Sequence, residues 1–279
     1  MKLGINTYTF MWSIGFEGAN PDFPGRAARP NRPMTALDLL EKARALGLRL
    51  VQTGPNLDVS RLPAAEFERF CAAARDWGIE LELGTRGLDY AHIAAQAGVA
   101  RRMGAKLIRT LPEAGGEYLA DAPRLAAALR PLIPLLQGEG LRLGIENGRL
   151  PAEELAAALD EAGAGCAGVV LDMVNSLAVP EGWKDVTQRL ARHVMCLHYK
   201  DFTIRRAWHM MGFICEGAPA GQGMVHAPWL LQTLRASPYD FNVIIEQWPA
   251  EQETVDATAA LEHAWLPQGI EFLRRYIPD

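Results

Sequence analysis

Short apolar runs alternate along this chain with longer stretches in which apolar residues recur every three or four positions. The short runs, many with a period of two, predict strands at residues 3–8, 48–53, 80–84, 106–111, 142–146, 168–172, 194–198 and 242–247. The longer stretches predict helices at 36–46, 64–77, 90–103, 123–137, 152–162, 184–191, 228–236 and 257–276. Strand and helix therefore alternate through eight units, the order of parallel βα repeats.

Local chemistry supports these boundaries. Thr35 stands three residues before Asp38, the spacing of a capping box, and Pro151 suits a first helical position, whose N–H has no helical partner anyway. Gly47, Gly78, Gly104 and Gly140 each follow an apolar helical stretch, where a left-handed cap is expected. With no linker-like or low-complexity interruption, residues 1–279 are expected to form one domain, a closed (β/α)8 TIM barrel. An open, doubly wound sheet is the alternative, because strand order is invisible in the pattern. Two connections are long, 11–33 and 202–226, and both would lie over the C-terminal face of a barrel.

Composition narrows the class. The chain is 49% hydrophobic and 22% charged, and no apolar stretch approaches the ~20 residues of a membrane helix. A net charge of −5, with basic residues scattered among acidic ones, makes nucleic acid a poor partner. Cys71, Cys166, Cys196 and Cys215 lack CxxC spacing and read as buried thiols in a reducing compartment. The opening MKLGINTYTF alternates like a strand and lacks the unbroken apolar segment of an export signal, so a cytoplasmic protein is expected.

Four apolar runs end on a metal-capable side chain: LRLGIE at Glu146, GVVLD at Asp172, VMCLH at His198 and VIIE at Glu246. The first three ends are 26 positions apart and the last is 48 further on, so each interval holds a strand, a helix and their connections. In a closed barrel such ends share one rim. Each residue alone has a bland reading, as a cap, a surface acid or a hydrogen-bonded core histidine. Four together on the last four strands point to one site. Three carboxylates and an imidazole favour one divalent ion, Mn2+ first, with Mg2+, Co2+ or Zn2+ as alternatives.

With these motifs the chain resembles the sugar phosphate isomerase/epimerase family, the xylose isomerase-like TIM barrels that include ketose 3-epimerases and inosose dehydratases. The resemblance spans nearly the whole chain and is carried by IEN at 145–147, LDMVNS at 171–176, LHYKD at 197–201 and the strand end at Glu246. It implies that Glu146, Asp172, His198 and Glu246 bind one divalent metal, and that Glu146 and Glu246 act as the acid/base pair. The family's second motif often has His three residues after the Asp, where this chain has Asn175. An amide can donate to a substrate hydroxyl but does not titrate near neutral pH.

The implied chemistry is proton abstraction next to a carbonyl, through an enediolate, on a small carbohydrate. A metal-bound carboxylate is a weak base, so Lys200 competes for a catalytic role; an ion pair with Asp201, Glu146 or Glu246 is its bland one. Asn147 and Asp201 are expected to order the site. Asn175, His209 in the long loop, Gln52 and Asn6 are candidates for substrate contacts. Isomerisation or epimerisation is the leading reaction, and a lyase or dehydratase acting on a keto-sugar, keto-inositol or 3-keto-glycoside is the alternative. An endonuclease IV-like repair enzyme would need a richer histidine set, and a non-catalytic sugar-binding barrel would show no metal-dependent turnover. Self-association is common in such barrels, although no contact surface is legible.

Overall fold

The computed structural model describes residues 1–17, 25–163 and 165–278. Eight parallel strands close into a barrel: β1 (Leu3–Asn6), β2 (Leu50–Gln52), β3 (Glu80–Gly84), β4 (Leu107–Thr110), β5 (Arg142–Glu146), β6 (Ala167–Asp172), β7 (Val194–Tyr199) and β8 (Asn242–Ile245). Each strand pairs with its neighbours in sequence, and β1 closes the ring against β8 with Leu3 opposite Val243. This is the (β/α)8 barrel expected from the alternating pattern, and not the open sheet.

Most buried apolar residues lie between the strands and the surrounding helices. A smaller cluster of Leu50, Leu107, Val170, Met195, Cys196 and Ile244 forms a separate core. Residues two positions further along those strands are Gln52, Arg109, Asp172, His198 and Glu246, so period two carries polar side chains to the C-terminal end of the same face.

The expected capping box at Thr35 and Asp38 is present, and Gly104 and Gly140 close their helices in left-handed conformation at φ 72° and 62°. Pro151 is the N-cap, one residue before the position expected for it. The helix expected at 123–137 is two helices, Ala122–Leu129 and Leu132–Glu139. Pro131 and Pro134 have no N–H to return to the preceding turn, so the hydrogen-bond ladder breaks between them and Leu129. β1 stops at Asn6 and not at residue 8, because the Asn6 side chain accepts the Thr9 N–H and caps the 3-10 turn Thr7–Phe10.

The long connection after β7 is a built element, the antiparallel hairpin Asp201–Arg206 with Phe213–Ala218. Its end exposes Trp208, Met210, Met211 and Phe213. In the other long connection, Met11–Ile14 is helical and Phe16 bridges Ala28, while residues 18–24 lie outside the described set. All four cysteines are free, but only Cys71 and Cys196 are buried; Cys215 is exposed, against the expectation from sequence. No helix among the described residues is long and apolar enough to cross a membrane.

Candidate metal centre and active site

Glu146 at the end of β5, Asp172 at the end of β6 and His198 in β7 meet at the C-terminal end of the barrel, all buried. One oxygen from each carboxylate and one ring nitrogen lie within 4.8 Å of one another. Glu246, just beyond β8, approaches the same point: its Oε1 is 3.0 Å from His198 Nδ1, and Glu146 Oε2 is 3.3 Å from that nitrogen. The four strand-end residues therefore converge. Glu146, Asp172 and His198 form the tightest set, with Glu246 beside it.

Lys200 follows β7 and ties the cluster together. Its Nζ lies 2.6 Å from Asp172 Oδ2 and 2.7 Å from Glu246 Oε2. Burial opposes its charge, but Asp172 and Glu246 outweigh burial and raise its pKa. Burial likewise works against ionisation of Glu246, yet His198 and Lys200 hold it below the ordinary carboxylate range. For Asp172 burial prevails over Lys200, with the other two carboxylates adding to it, and its pKa rises.

Arg109 completes the charge balance and was not singled out from sequence. It lies in β4 with Nε 2.5 Å from Glu146 Oε2, while Nη1 donates to the Thr85 carbonyl at 3.3 Å. Its guanidinium carbon is 5.9 Å from the Tyr8 ring. Arg109 is 6% exposed, and it lines the cavity described below. Burial raises the Glu146 carboxyl, but Arg109 and His198 reverse that and hold it well below the usual value. The available signal was one charge at an alternate position of an otherwise apolar run.

The remaining predicted site residues separate into two groups. Asn175 belongs to the site: its Nδ2 donates to Glu146 Oε1 at 2.8 Å, and its backbone N–H donates to Asp172 Oδ1 at 2.9 Å. Asn147 braces the rim, accepting the Asp172 N–H at 2.6 Å and donating to the Asp172 carbonyl at 3.0 Å. Asn6 donates to Glu246 Oε1. Gln52 has both ends of its amide engaged, 2.7 Å from His198 Nε2 and 2.9 Å from Glu82, and it is not among the residues lining the cavity described below. His209 is exposed in the hairpin turn, where it accepts the Met211 N–H and stacks edge-on against Trp208. Asp201 accepts N–H groups from Phe202, Gly221, Gly223 and Val225 and orders the loop at the hairpin base.

Two buried atoms in the cluster, Asp172 Oδ2 and His198 Nδ1, lack a hydrogen-bond partner among the described residues. The first meets the Lys200 ammonium without hydrogen-bond geometry, and the second faces two carboxylates. Such orphaned atoms are costly in an interior. A donor set of carboxylates and one imidazole fits a single divalent cation, which would satisfy both.

Arg109, Asn175, Lys200 and Glu246 open into a cavity of about 480 Å³, walled by Tyr8, Trp12, Arg86 and Trp248 among others. Its volume suits a small-molecule ligand. Charge is balanced closely here. Three carboxylates face two side-chain cations, the buried Arg109 and the partly exposed Lys200, and a bound divalent ion would leave the site net positive with a neutral imidazole.

Comparison with known proteins agrees with this picture. The family described as "Xylose isomerase-like TIM barrel" matches residues 11–276. A 3-oxo-isoapionate decarboxylase from Pectobacterium atrosepticum is 29% identical over 274 residues, covering 98% of this chain and 95% of that one. Among solved structures, a D-psicose 3-epimerase crystallised in the presence of D-fructose superposes with a TM-score of 0.69 at 15% identity, covering 100% of both chains. The IOLI protein with a bound zinc atom superposes with a TM-score of 0.68 at 14% identity, also over 100% of both chains. At those identities the structures establish likeness of fold.

Proposed function

The chain belongs to the xylose isomerase-like TIM barrel family, and on that premise we propose that it is a divalent-metal-dependent lyase that decarboxylates a 3-oxo sugar acid. Glu146, Asp172 and His198, with Glu246 beside them, would hold the ion. Mn2+ heads the candidates, with Mg2+, Co2+ and Zn2+ also compatible with these donors. When bound, the ion supplies an electrophile that stabilises the oxygen gaining charge as a carbanion forms next to a carbonyl.

One observation favours decarboxylation over proton abstraction. Each glutamate that an epimerase would use as a base is engaged by a cation, Glu146 by the buried Arg109 and Glu246 by Lys200. Both are held below the ordinary carboxylate range, and such groups are weak bases. Loss of carbon dioxide from a 3-oxo acid needs no base. The bond from the carboxylate carbon to its neighbour breaks, its electron pair passes into the enediolate, and carbon dioxide leaves.

The chain's own residues are suited to the rest. Arg109, on the cavity wall, offers its guanidinium to an anionic group, and Lys200 can return a proton to the carbon that lost its carboxylate. Asn175 offers its amide oxygen to a substrate hydroxyl. The decarboxylase relative, which aligns over almost the whole chain, supports the same reaction class.

Isomerisation or epimerisation of a ketose is the second reading. It is favoured by Glu246, which borders the cavity, and by Glu146 directly behind Asn175. The test is to supply a metal-loaded preparation with 3-oxo sugar acids, 3-oxo-isoapionate first, and to follow carbon dioxide before and after chelation. Metal-dependent release is expected. No release with any divalent ion, together with turnover of free ketoses, would replace this reading with the second.

A further inference from the structure

Behind the carboxylate cluster, a line of buried polar side chains crosses the barrel interior, lines no part of the cavity and meets the cluster at His198. It begins at Asn242 in β8, whose Oδ1 accepts the Lys2 backbone N–H at 3.0 Å. A backbone amide can only donate, so the orientation of the Asn242 amide is settled. Its Nδ2 donates to Glu82 Oε1 in β3 at 2.8 Å. Glu82 Oε2 accepts from Gln52 Nε2 in β2 at 2.9 Å, and Gln52 Oε1 lies 2.7 Å from His198 Nε2 in β7. β8 does not adjoin β3, nor β2 adjoin β7, so both of those contacts span the interior.

Direction matters more than continuity. Burial raises the Glu82 carboxyl; in its ionised form it only accepts, so Gln52 then turns its NH2 toward Glu82 and its oxygen toward His198. A neutral imidazole facing that oxygen carries its proton on Nε2, which leaves the Nδ1 lone pair toward Glu146 and Glu246. A glutamine at position 82 would fill the same space without a buried acid. What it would lose is this polarity.

We propose that Glu82, Gln52 and Asn242 are positioning residues that fix His198 as its Nε2–H tautomer and present Nδ1 to the cluster of Glu146, Asp172 and Glu246. The proposal rests on the metal-dependent function above, since a neutral imidazole with a bare nitrogen toward the cluster is the form that ligates a cation.

The test labels the histidines of the protein with 15N and reads the His198 tautomer from long-range 1H–15N couplings. It is read in metal-free protein at alkaline pH, where the ring is neutral. Wild type should show Nε2 protonated and Nδ1 bare. In Glu82→Gln the Gln52 amide is free to turn, the Nδ1–H tautomer should appear, and calorimetric Mn2+ affinity should fall about 10- to 100-fold. A wild-type His198 protonated on Nδ1 overturns the proposal, even if the variant fails to fold. So does a folded Glu82→Gln protein with wild-type tautomer and affinity. The expected tautomer in a wild type that binds no Mn2+ would instead sink the function proposed above and leave the relay intact.

Discussion

Lys200 is held between two carboxylates of the cluster, Asp172 at 2.6 Å and Glu246 at 2.7 Å. Those neighbours raise its pKa, so anything that draws charge from them frees the ammonium to act as an acid. Lys200→Met should lower kcat about 10²- to 10⁴-fold while metal content stays at the wild-type level. Lys200→Arg should not restore it, because a guanidinium does not release a proton. Turnover near wild type in both variants would reduce Lys200 to an ion-pair partner. Arg109→Lys keeps a cation beside Glu146 but removes the second arm of the fork, so KM for a carboxylate-bearing substrate should rise about tenfold, against a smaller change in kcat. Steady-state kinetics on an acid and its neutral amide would separate these effects. The four strand-end residues were legible because each terminates an apolar run. Arg109 and Glu82 were not, because a lone charge at an alternate position of a strand does not reveal which face looks inward.

At the scale of elements, the hairpin after β7 depends on Asp201. Its carboxylate accepts the N–H groups of Gly221 at 2.8 Å, Gly223 at 3.1 Å and Val225 at 3.0 Å, besides that of Phe202. A Cβ at Gly223 would stand 2.1 Å from Asp201 Oδ1, so only glycine permits this approach. Asp201→Asn swaps an acceptor for a donor facing N–H groups and should cost about 1–3 kcal/mol. Urea denaturation measures the loss, and amide hydrogen exchange at Gly221 and Gly223 should quicken first. Sequence pattern located the connection but missed the hairpin. Only Asp201, Phe202 and Ala218 of its two strands are buried, so the apolar positions there do not mark a core-facing side. The break at Pro131 was legible in principle, since proline cannot return the missing hydrogen bond; the apolar spacing on either side of it concealed the stop.

Across the whole molecule, the long final helix Val255–Arg274 is joined to the segment after β1 through Glu262. That buried carboxylate accepts from the backbone N–H groups of Trp12 at 2.8 Å and Ser13 at 3.0 Å and from the Ser13 hydroxyl at 2.7 Å. Burial outweighs those donors and pushes its pKa from 4.5 up to about 7. A carboxyl raised on folding favours the native state most below its unfolded pKa, and that contribution is lost as pH rises through the folded value. Stability should therefore fall between about pH 4.5 and 7 by up to about 3 kcal/mol from this group. Glu262→Gln should flatten that part of the profile in denaturant titrations at several pH values; an unchanged slope would show that Glu262 is ionised throughout. The barrel itself was readable from eight alternations of period, because each unit repeats the same burial problem. Closure was not, because it depends on pairing β1 with β8.

The central claim is that the site breaks a carbon–carbon bond and returns a proton, and does not exchange one. Running the metal-loaded protein on a 3-oxo sugar acid in D2O tests it directly, with product read by NMR and evolved carbon dioxide counted. One deuterium per carbon dioxide is expected, placed on the carbon that lost its carboxylate and absent from unreacted substrate. Deuterium washing into a ketose, with no carbon dioxide released from any acid, would contradict the account.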